Sequence, residues 1–257
     1  MIPSMDLQDR VAIVTGGGGA GMGRTISVRL ARAGASVVAA DIDEEAARET
    51  VRQIEREGRR ALAVLTDVTV EADVRELVAV AESTLGGVDV LVNNAGATPE
   101  PHFPEAPVEH WSRYLDLNLR APMLAIQAVL EPMNRRGGGA IVNISSAAGV
   151  GYRPHSSPEY AAAKAGLMRL TATLAPLAER ANVRVNCVVP NWIGTDEVLE
   201  EIAKMTPEER AEVPDALTAP EEIAEAVARF IEEDTHAGRV LVVWNDGPPW
   251  LVPLDHE

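Results

Sequence analysis

Val11-Ala-Ile-Val-Thr-Gly-Gly-Gly-Gly-Ala-Gly-Met-Gly23 runs from a β-branched apolar segment through a glycine cluster into a helical pattern that continues to Ala33. Glycines at such a junction let the backbone come close to a pyrophosphate, and the free N–H groups at the helix start supply positive potential to hold it. Position carries the reading: a glycine cluster directly after a first strand and directly before a first helix is far more specific than the cluster alone.

Outward from that junction the chain repeats the same punctuation. Apolar runs at Ser36–Ala40, Ala61–Leu65, Val88–Val92, Ala140–Ile144, Val183–Val188 and Val240–Val243 alternate with amphipathic segments near Glu44–Glu57, Glu71–Leu85, Val108–Asn134, Glu159–Arg180 and Pro220–Ile231. About seven strands joined by helices predict an α/β, Rossmann-type doubly wound parallel sheet with helices on both faces, because parallel neighbours need crossover connections. No composition break or linker divides the 257 residues, so 1–257 reads as one domain. Two stretches interrupt the alternation. Residues 97–107 hold four prolines and read as a substrate loop, and residues 195–219 place polar helical material between turn signals and read as a lid.

Hydrophobic residues at 46% and charged residues at 24% supply a core of ordinary size. The balance of 23 Lys+Arg against 39 Asp+Glu leaves a net charge of -16, which repels nucleic acid and anionic membranes, so neither is an expected partner. Residues 1–10 carry no apolar signal region, and no run approaches the roughly 18 apolar residues of a membrane span, which together point to a cytoplasmic enzyme. Cys187 is the single cysteine, which excludes an internal disulfide and a thiolate cluster, and its place in Val183–Val189 reads as a buried thiol. No His/Asp/Glu cluster has metal-ligand spacing, so no metal is expected.

Asp41 ends the second strand, eighteen residues beyond Gly23, where a carboxylate accepts hydrogen bonds from the adenosine ribose of NAD. The same carboxylate repels the extra phosphate of NADP by on the order of 4 kcal/mol at about 4 Å near a surface. Ile42–Glu45 offer no Lys or Arg to reverse that sign, and Arg24 is the one nearby cation, so NAD is expected over NADP. Tyr160-Ala-Ala-Ala-Lys164 puts a phenol and an ammonium on one helical face. Ser145-Ser146 close the strand upstream, Asn118 lies in the long helix before it, and Asn93-Asn94-Ala95-Gly96 end the fourth strand. All converge on the carboxyl edge of the sheet, where ligands bind in such folds.

Taken together, the Thr15–Gly23 loop, Asp41, Asp67-Val68, Asn93–Gly96, Asn118, Ile144-Ser-Ser146, Tyr160 with Lys164, and Pro190–Thr195 resemble the short-chain dehydrogenase/reductase family in its single-domain branch, from Leu7 to Gly247. The resemblance implies hydride transfer between NAD(H) and a secondary alcohol or ketone. It implies that Ser146, with Ser145 as fallback, polarises the substrate oxygen, that Tyr160 exchanges the proton, and that Asn118 holds a water on the proton path. Lys164 would bind the nicotinamide ribose and lower the phenol pKa; a free phenol titrates at about 10, and a neighbouring cation favours phenolate. For the cofactor it implies contacts from Gly16, Gly21, Met22 and Gly23 to the phosphates, Asp41 and Ile42 at the adenosine ribose, Asp67 and Val68 at the adenine, Asn94, Ala95 and Gly96 along the ribose, and Pro190, Ile193 and Thr195 at the nicotinamide end, with Tyr160 and Lys164. A homotetramer follows from the same resemblance, with the helices carrying Asn118 and Tyr160 as its interface.

The chain departs from the family pattern at three places. Four residues rather than three separate Gly16 from Gly21, which leaves open which glycine meets the phosphates. Asn191 stands for the usual glycine after Pro190, and asparagine best tolerates positive φ among non-glycine residues. The segment before Tyr160 carries Tyr152, Arg153 and His155; with His102 and Trp192, residues Tyr152 and His155 border the expected substrate mouth, while Trp244 and Trp250 read as core or subunit interface. Two other readings of the fold, a lyase or isomerase and a non-catalytic NAD-sensing module, are disfavoured by the retained glycines and by the retained Tyr/Lys pair.

Overall fold

A computed structural model describes residues 5–19, 21–151, 154–211, 213–245 and 247–254. Strands β1 (Val11–Thr15), β2 (Ser36–Asp41), β3 (Ala61–Leu65), β4 (Val90–Asn93), β5 (Gly139–Ile144), β6 (Val183–Pro190), β7 (Val240–Val243) and β8 (Trp250–Leu251) form one sheet in the order 3-2-1-4-5-6-7-8. The first seven are mutually parallel, and β8 adds antiparallel to β7. The order reverses between β1 and β4, which opens a crevice at their carboxyl ends.

The helices are α1 (Met22–Arg32), α2 (Glu44–Arg56), α3 (Glu71–Leu85), α4 (Val108–Leu115), α5 (Ala121–Arg135), α6 (Pro158–Thr173), α7 (Leu177–Ala181), α8 (Asp196–Ile202), α9 (Pro207–Arg210) and α10 (Pro220–Glu232). Alternation along β1 assigns them to faces. Ala12 and Val14 pack with Ile26 and Leu30 of α1 and with Ile223, Val227 and Ile231 of α10. Val11 and Ile13 pack on the opposite side with Leu77 and Val78 of α3 and with Ile126 and Val129 of α5. A strand covered on both faces reads as a continuous apolar run, as β1 does over 11–14, and each fully buried Val, Leu or Ile contributes about 1.5–3 kcal/mol. No helix among the described residues is long and apolar enough to cross a membrane.

Three features differ from the sequence reading. The sheet has an eighth strand, and a two-residue edge strand leaves no period-2 signal to read. The helix expected over 108–134 is interrupted by a π turn, Asp116–Arg120. There Asn118 Nδ2 donates to the Tyr114 carbonyl at 2.9 Å, competing with the helical ladder. The helix expected over 159–180 stops at Thr173 and restarts as the short α7.

Two buried charges lock the sheet to its helices. Asp89 is fully buried: Oδ1 accepts from Arg10 Nη1 and Arg136 Nε, each at 2.9 Å, and Oδ2 accepts from the Val11 amide at 2.9 Å. It therefore joins the start of β1 to the end of α5. Arg184 of β6, also buried, donates to the carbonyls of Phe230, Ile231 and Glu233, which are the acceptors left open at the end of α10. Asp89→Ala removes one acceptor from three donors at once and is expected to cost about 2–4 kcal/mol of stability. Urea denaturation should show a lower midpoint at unchanged slope.

Candidate active site

The crevice at the switch point is a cleft of about 1430 Å³. Gly16, Gly21, Met22, Gly23, Asp41, Ile42, Asp67, Val68, Asn94, Ala95, Gly96, Ser146, Tyr160, Ile193 and Thr195 all line it. Lys164, Asn118 and Pro190, which the sequence reading also grouped here, lie beneath its wall: Lys164 is 3% exposed, Asn118 is fully buried, and Pro190 is buried at the end of β6.

The loop from β1 to α1 is built by close approach. Gly16 adopts φ +62°, and a side chain at Gly23 would collide with the Gly16 carbonyl oxygen. Asn94 holds this turn, donating from Nδ2 to the carbonyls of Thr15 at 2.9 Å and Gly16 at 3.2 Å, while the amides of Asn94 and Ala95 donate to Thr15 Oγ1. The side chain of Asn94 is thus engaged with the glycine loop. Helix α1 begins at Gly21 with no side-chain cap and no acidic residue in its first turn, so its positive end faces the cleft uncompensated. Of the loop glycines, Gly16, Gly19, Gly21 and Gly23 reach the cleft, whereas Gly18 packs against the backbone of Ala46 and Ala47.

Asp41 sits at the next strand end. Its Oδ2 accepts from the Gly18 amide at 2.9 Å and its Oδ1 from the Asp43 amide at 3.0 Å, so the carboxylate is oriented by backbone. No ion pair engages it among the described residues. Arg24 is held beside the loop, donating to the Gly18 carbonyl at 2.9 Å and to Thr50 Oγ1 at 3.1 Å. Asp67 closes its own turn through the amide and hydroxyl of Thr69, at 2.9 and 2.6 Å, and leaves Val68 as an apolar wall.

On the other side of the cleft, Ser146 begins a 3₁₀ turn (Ala147–Gly149), with its hydroxyl accepting from the Ala148 amide at 3.2 Å. Ser145 faces inward and donates to the Lys164 carbonyl at 2.8 Å, so of the two serines only Ser146 reaches the cleft. Lys164 Nζ lies 5.5 Å from the Tyr160 ring centroid and donates to the Ile144 carbonyl at 3.0 Å. Burial pulls the Lys164 ammonium down to about 8, against the opposing influence of Cys187, whose own thiol burial pushes up to about 12. Burial also raises the Tyr160 phenol, with the neighbouring Ser146 hydroxyl lowering it. The lowering expected from Lys164 is not among the influences on the phenol here: desolvation governs it, opposed by Ser146.

Asn118 comes under this site from the π turn, with Nδ2 donating to the carbonyls of Ala97 and Tyr114. Its Oδ1 is buried without a hydrogen-bond partner among the described residues, as is Asn94 Oδ1. A side chain at Gly96 would come within 2.8 Å of Asn118 Oδ1 and 3.2 Å of Lys164 Nζ. The glycine keeps these two buried groups within reach of the cleft.

Trp192 and His155 line the cleft as expected, and the segment 195–219 contributes Val198, Glu201 and Met205. Several expectations are corrected. His102 turns away to Glu159, Nδ1 to Oε1 at 3.0 Å, tying the proline-rich loop to the first turn of α6. Asn191 is not at positive φ, so the turn after Pro190 has no need of glycine. Trp244 is 39% exposed and lines the cleft, and Trp250 is 43% exposed on the edge strand, so neither belongs to the core. Tyr152 and Arg153 lie outside the described residues. Arg113, Tyr114 and Leu117 of the α4 region also line the cleft and were missed. The spacing of Tyr114, one helical turn before Asn118, was the available signal; Arg113 and Leu117 left none.

The profile of the short chain dehydrogenase family matches residues 10–206. The cis-4-hydroxycyclohexanecarboxylate dehydrogenase of Sinomonas cyclohexanicum is 38% identical over 240 residues, 91% of this chain and 95% of that protein. The cyclohexanol dehydrogenase of Acinetobacter sp. strain SE19 is 35% identical over 239 residues, 91% of this chain and 92% of that protein. Among solved structures, a 7 alpha-hydroxysteroid dehydrogenase complexed with NADH and 7-oxo glycochenodeoxycholic acid matches with a TM-score of 0.86 at 33% identity, covering 94% of this chain and 96% of the other. With a crevice at the sheet's switch point and a family match along most of its length, the protein belongs to the short-chain dehydrogenases, oxidoreductases that use nicotinamide cofactors.

Proposed function

We propose that the protein transfers a hydride between NAD(H) and a ring-borne secondary alcohol or its ketone, with Tyr160 as general acid and base. The observation that carries this reading is the placement of the Tyr160 phenol on the cleft wall, beside the Ser146 hydroxyl and one helical turn from Lys164. The same reading takes residues 1–257 as one catalytic domain, working as a cytoplasmic homotetramer.

A dinucleotide suits the residues present: an uncapped helix start for the pyrophosphate, a backbone-oriented carboxylate for the ribose, and two buried amide oxygens without partners among the described residues. Gly16 and Gly21–Gly23 would hold the phosphates, Asp41 and Ile42 the adenosine ribose, and Asp67 and Val68 the adenine. Asn94, Ala95, Gly96, Tyr160 and Lys164 would hold the second ribose, and Pro190, Ile193 and Thr195 the carboxamide. When bound, the nicotinamide gives or takes the hydride.

Every other step falls to the chain. Ser146 donates a hydrogen bond to the substrate oxygen and fixes it against Tyr160. The phenol, raised by burial, is protonated at neutral pH and so poised to donate to a carbonyl in the reductive direction. Lys164 keeps a positive charge under the phenol below about pH 8, and Asn118 Oδ1 supplies an acceptor for a water that returns the proton to solvent. Asp41 selects NAD by charge. The ring substrate class is suggested by the alicyclic and steroid alcohols in the names of the relatives, and by a mouth walled with Trp192, Val198, Met205 and Trp244.

Tyr160→Phe is expected to lower kcat with a cyclic ketone by about a hundredfold to ten-thousandfold, while fluorescence titration finds NADH binding nearly unchanged. Retained turnover would remove Tyr160 from the role of proton donor. Asp41→Asn should raise the ratio of kcat/KM for NADPH over NADH by on the order of a hundredfold, and a wild-type preference for NADPH contradicts the charge argument. In the cofactor-free protein the Lys164 ε-carbon resonance should titrate near pH 8. The folded value lies below the ordinary one, so charge is present on the acid side and lost above it; a midpoint near 10.5 would mean that burial does not govern this lysine.

A further inference from the structure

We infer that His155 presents a fixed N–H donor to the substrate, and that the enzyme thereby favours ring alcohols and ketones bearing a second acceptor oxygen, such as a carboxylate, away from the reacting carbon. The inference rests on the hydride-transfer reading above and narrows its substrate class.

The position of the proton on this imidazole follows from its neighbour. His155 Nδ1 lies 3.0 Å from the Ser157 amide nitrogen and 3.2 Å from the Ser157 carbonyl oxygen. Ser157 is 1% exposed, and a backbone N–H can only donate, so a hydrogen on Nδ1 would leave that amide buried against another hydrogen. Nδ1 is therefore the acceptor, and the neutral ring carries its hydrogen on Nε2. Nε2, on the far side of the ring from the Ser157 amide, makes no hydrogen bond among the described residues.

That donor stands beside the chemistry. The imidazole is exposed on the cleft wall, and its centroid is 6.2 Å from that of Tyr160 at an interplanar angle of 31°. A substrate whose reacting oxygen meets Tyr160 passes beside this imidazole. The cleft lining contributed by the segment around His155 and by residues 191–205 and 244 includes the apolar Pro154, Trp192, Met205 and Trp244, together with Ser156, Asn191 and Glu201. Thr98, the nearby hydroxyl on the opposite loop, already donates to Ser157 Oγ at 2.7 Å. A donor held in a fixed orientation rewards a substrate with a matching acceptor and loses that contact with one without it, which is how a polar contact discriminates between otherwise similar ligands. Because the Ser157 amide orients the ring in advance, little ordering is needed on binding.

The test compares 4-oxocyclohexanecarboxylate with cyclohexanone, each followed by NADH oxidation, in wild type, His155→Phe and His155→Gln. Phenylalanine keeps a ring beside Tyr160 but has no N–H; glutamine restores a donor without the ring. The ratio of kcat/KM for the keto acid over cyclohexanone should fall at least about tenfold in His155→Phe, mainly through KM for the keto acid, and should recover in part in His155→Gln. A ratio unchanged in His155→Phe while wild type reduces both ketones overturns the role of His155 alone and reduces it to a packing or solvated residue. A wild type that reduces neither ketone with either coenzyme overturns the hydride-transfer reading, and this inference falls with it.

Discussion

The contact on which the site depends is the one between Asn94 and the glycine loop. Its amide nitrogen bridges the carbonyls of Thr15 and Gly16, and its own amide rests on Thr15 Oγ1. The ends of β1 and β4, the two strands at which the sheet order reverses, are thereby clamped, and the crevice between them keeps its shape. Gly23 can then lie against the Gly16 carbonyl and bring the start of α1 to the cleft. Asp41 acts similarly one strand away, since it accepts from Gly18 within the same loop. The Asp41 carboxylate thus also holds the glycine loop, so replacing it alters both charge and geometry.

The opposite wall of the cleft is governed by burial. Lys164 and Tyr160 are both desolvated, and desolvation moves their proton affinities apart: the ammonium comes down to about 8 and the phenol goes up. Neither shift alone makes the phenol a base. What burial provides is a pair whose protonation responds to whatever charge enters the cleft, because low local polarity strengthens every electrostatic interaction there. Cys187, on the neighbouring strand, stays a neutral thiol for the same reason.

Much of this was legible along the chain. Strand runs, the glycine junction and the acidic residue after β2 depend on local composition and spacing, and each fell where expected. The Tyr160–Lys164 pair is readable because i and i+4 share a helical face whatever the rest of the fold does. The tryptophans were not readable: an indole near a chain end is equally at home in a core or at a subunit interface, and the exposure of Trp244 and Trp250 removes only the core. His102 and His155 were alike in sequence, two loop histidines near the mouth. One is bound to the buried Glu159, and the other stands on the cleft wall against Tyr160.

The sequence by itself determined the class of sheet, the place of the glycine loop between β1 and α1, and the pairing of Tyr160 with Lys164 on one helical face, because periodicity, glycine content and helical spacing are local properties of the backbone. The tertiary structure alone decided which of two adjacent serines reaches the cleft, that Asn118 enters through a π turn with an oxygen to spare, and which nitrogen of His155 keeps its hydrogen. Each of these depends on groups far apart in the chain or on the exact direction of a backbone amide. Burial and hydrogen-bond direction exist only once distant segments are packed together.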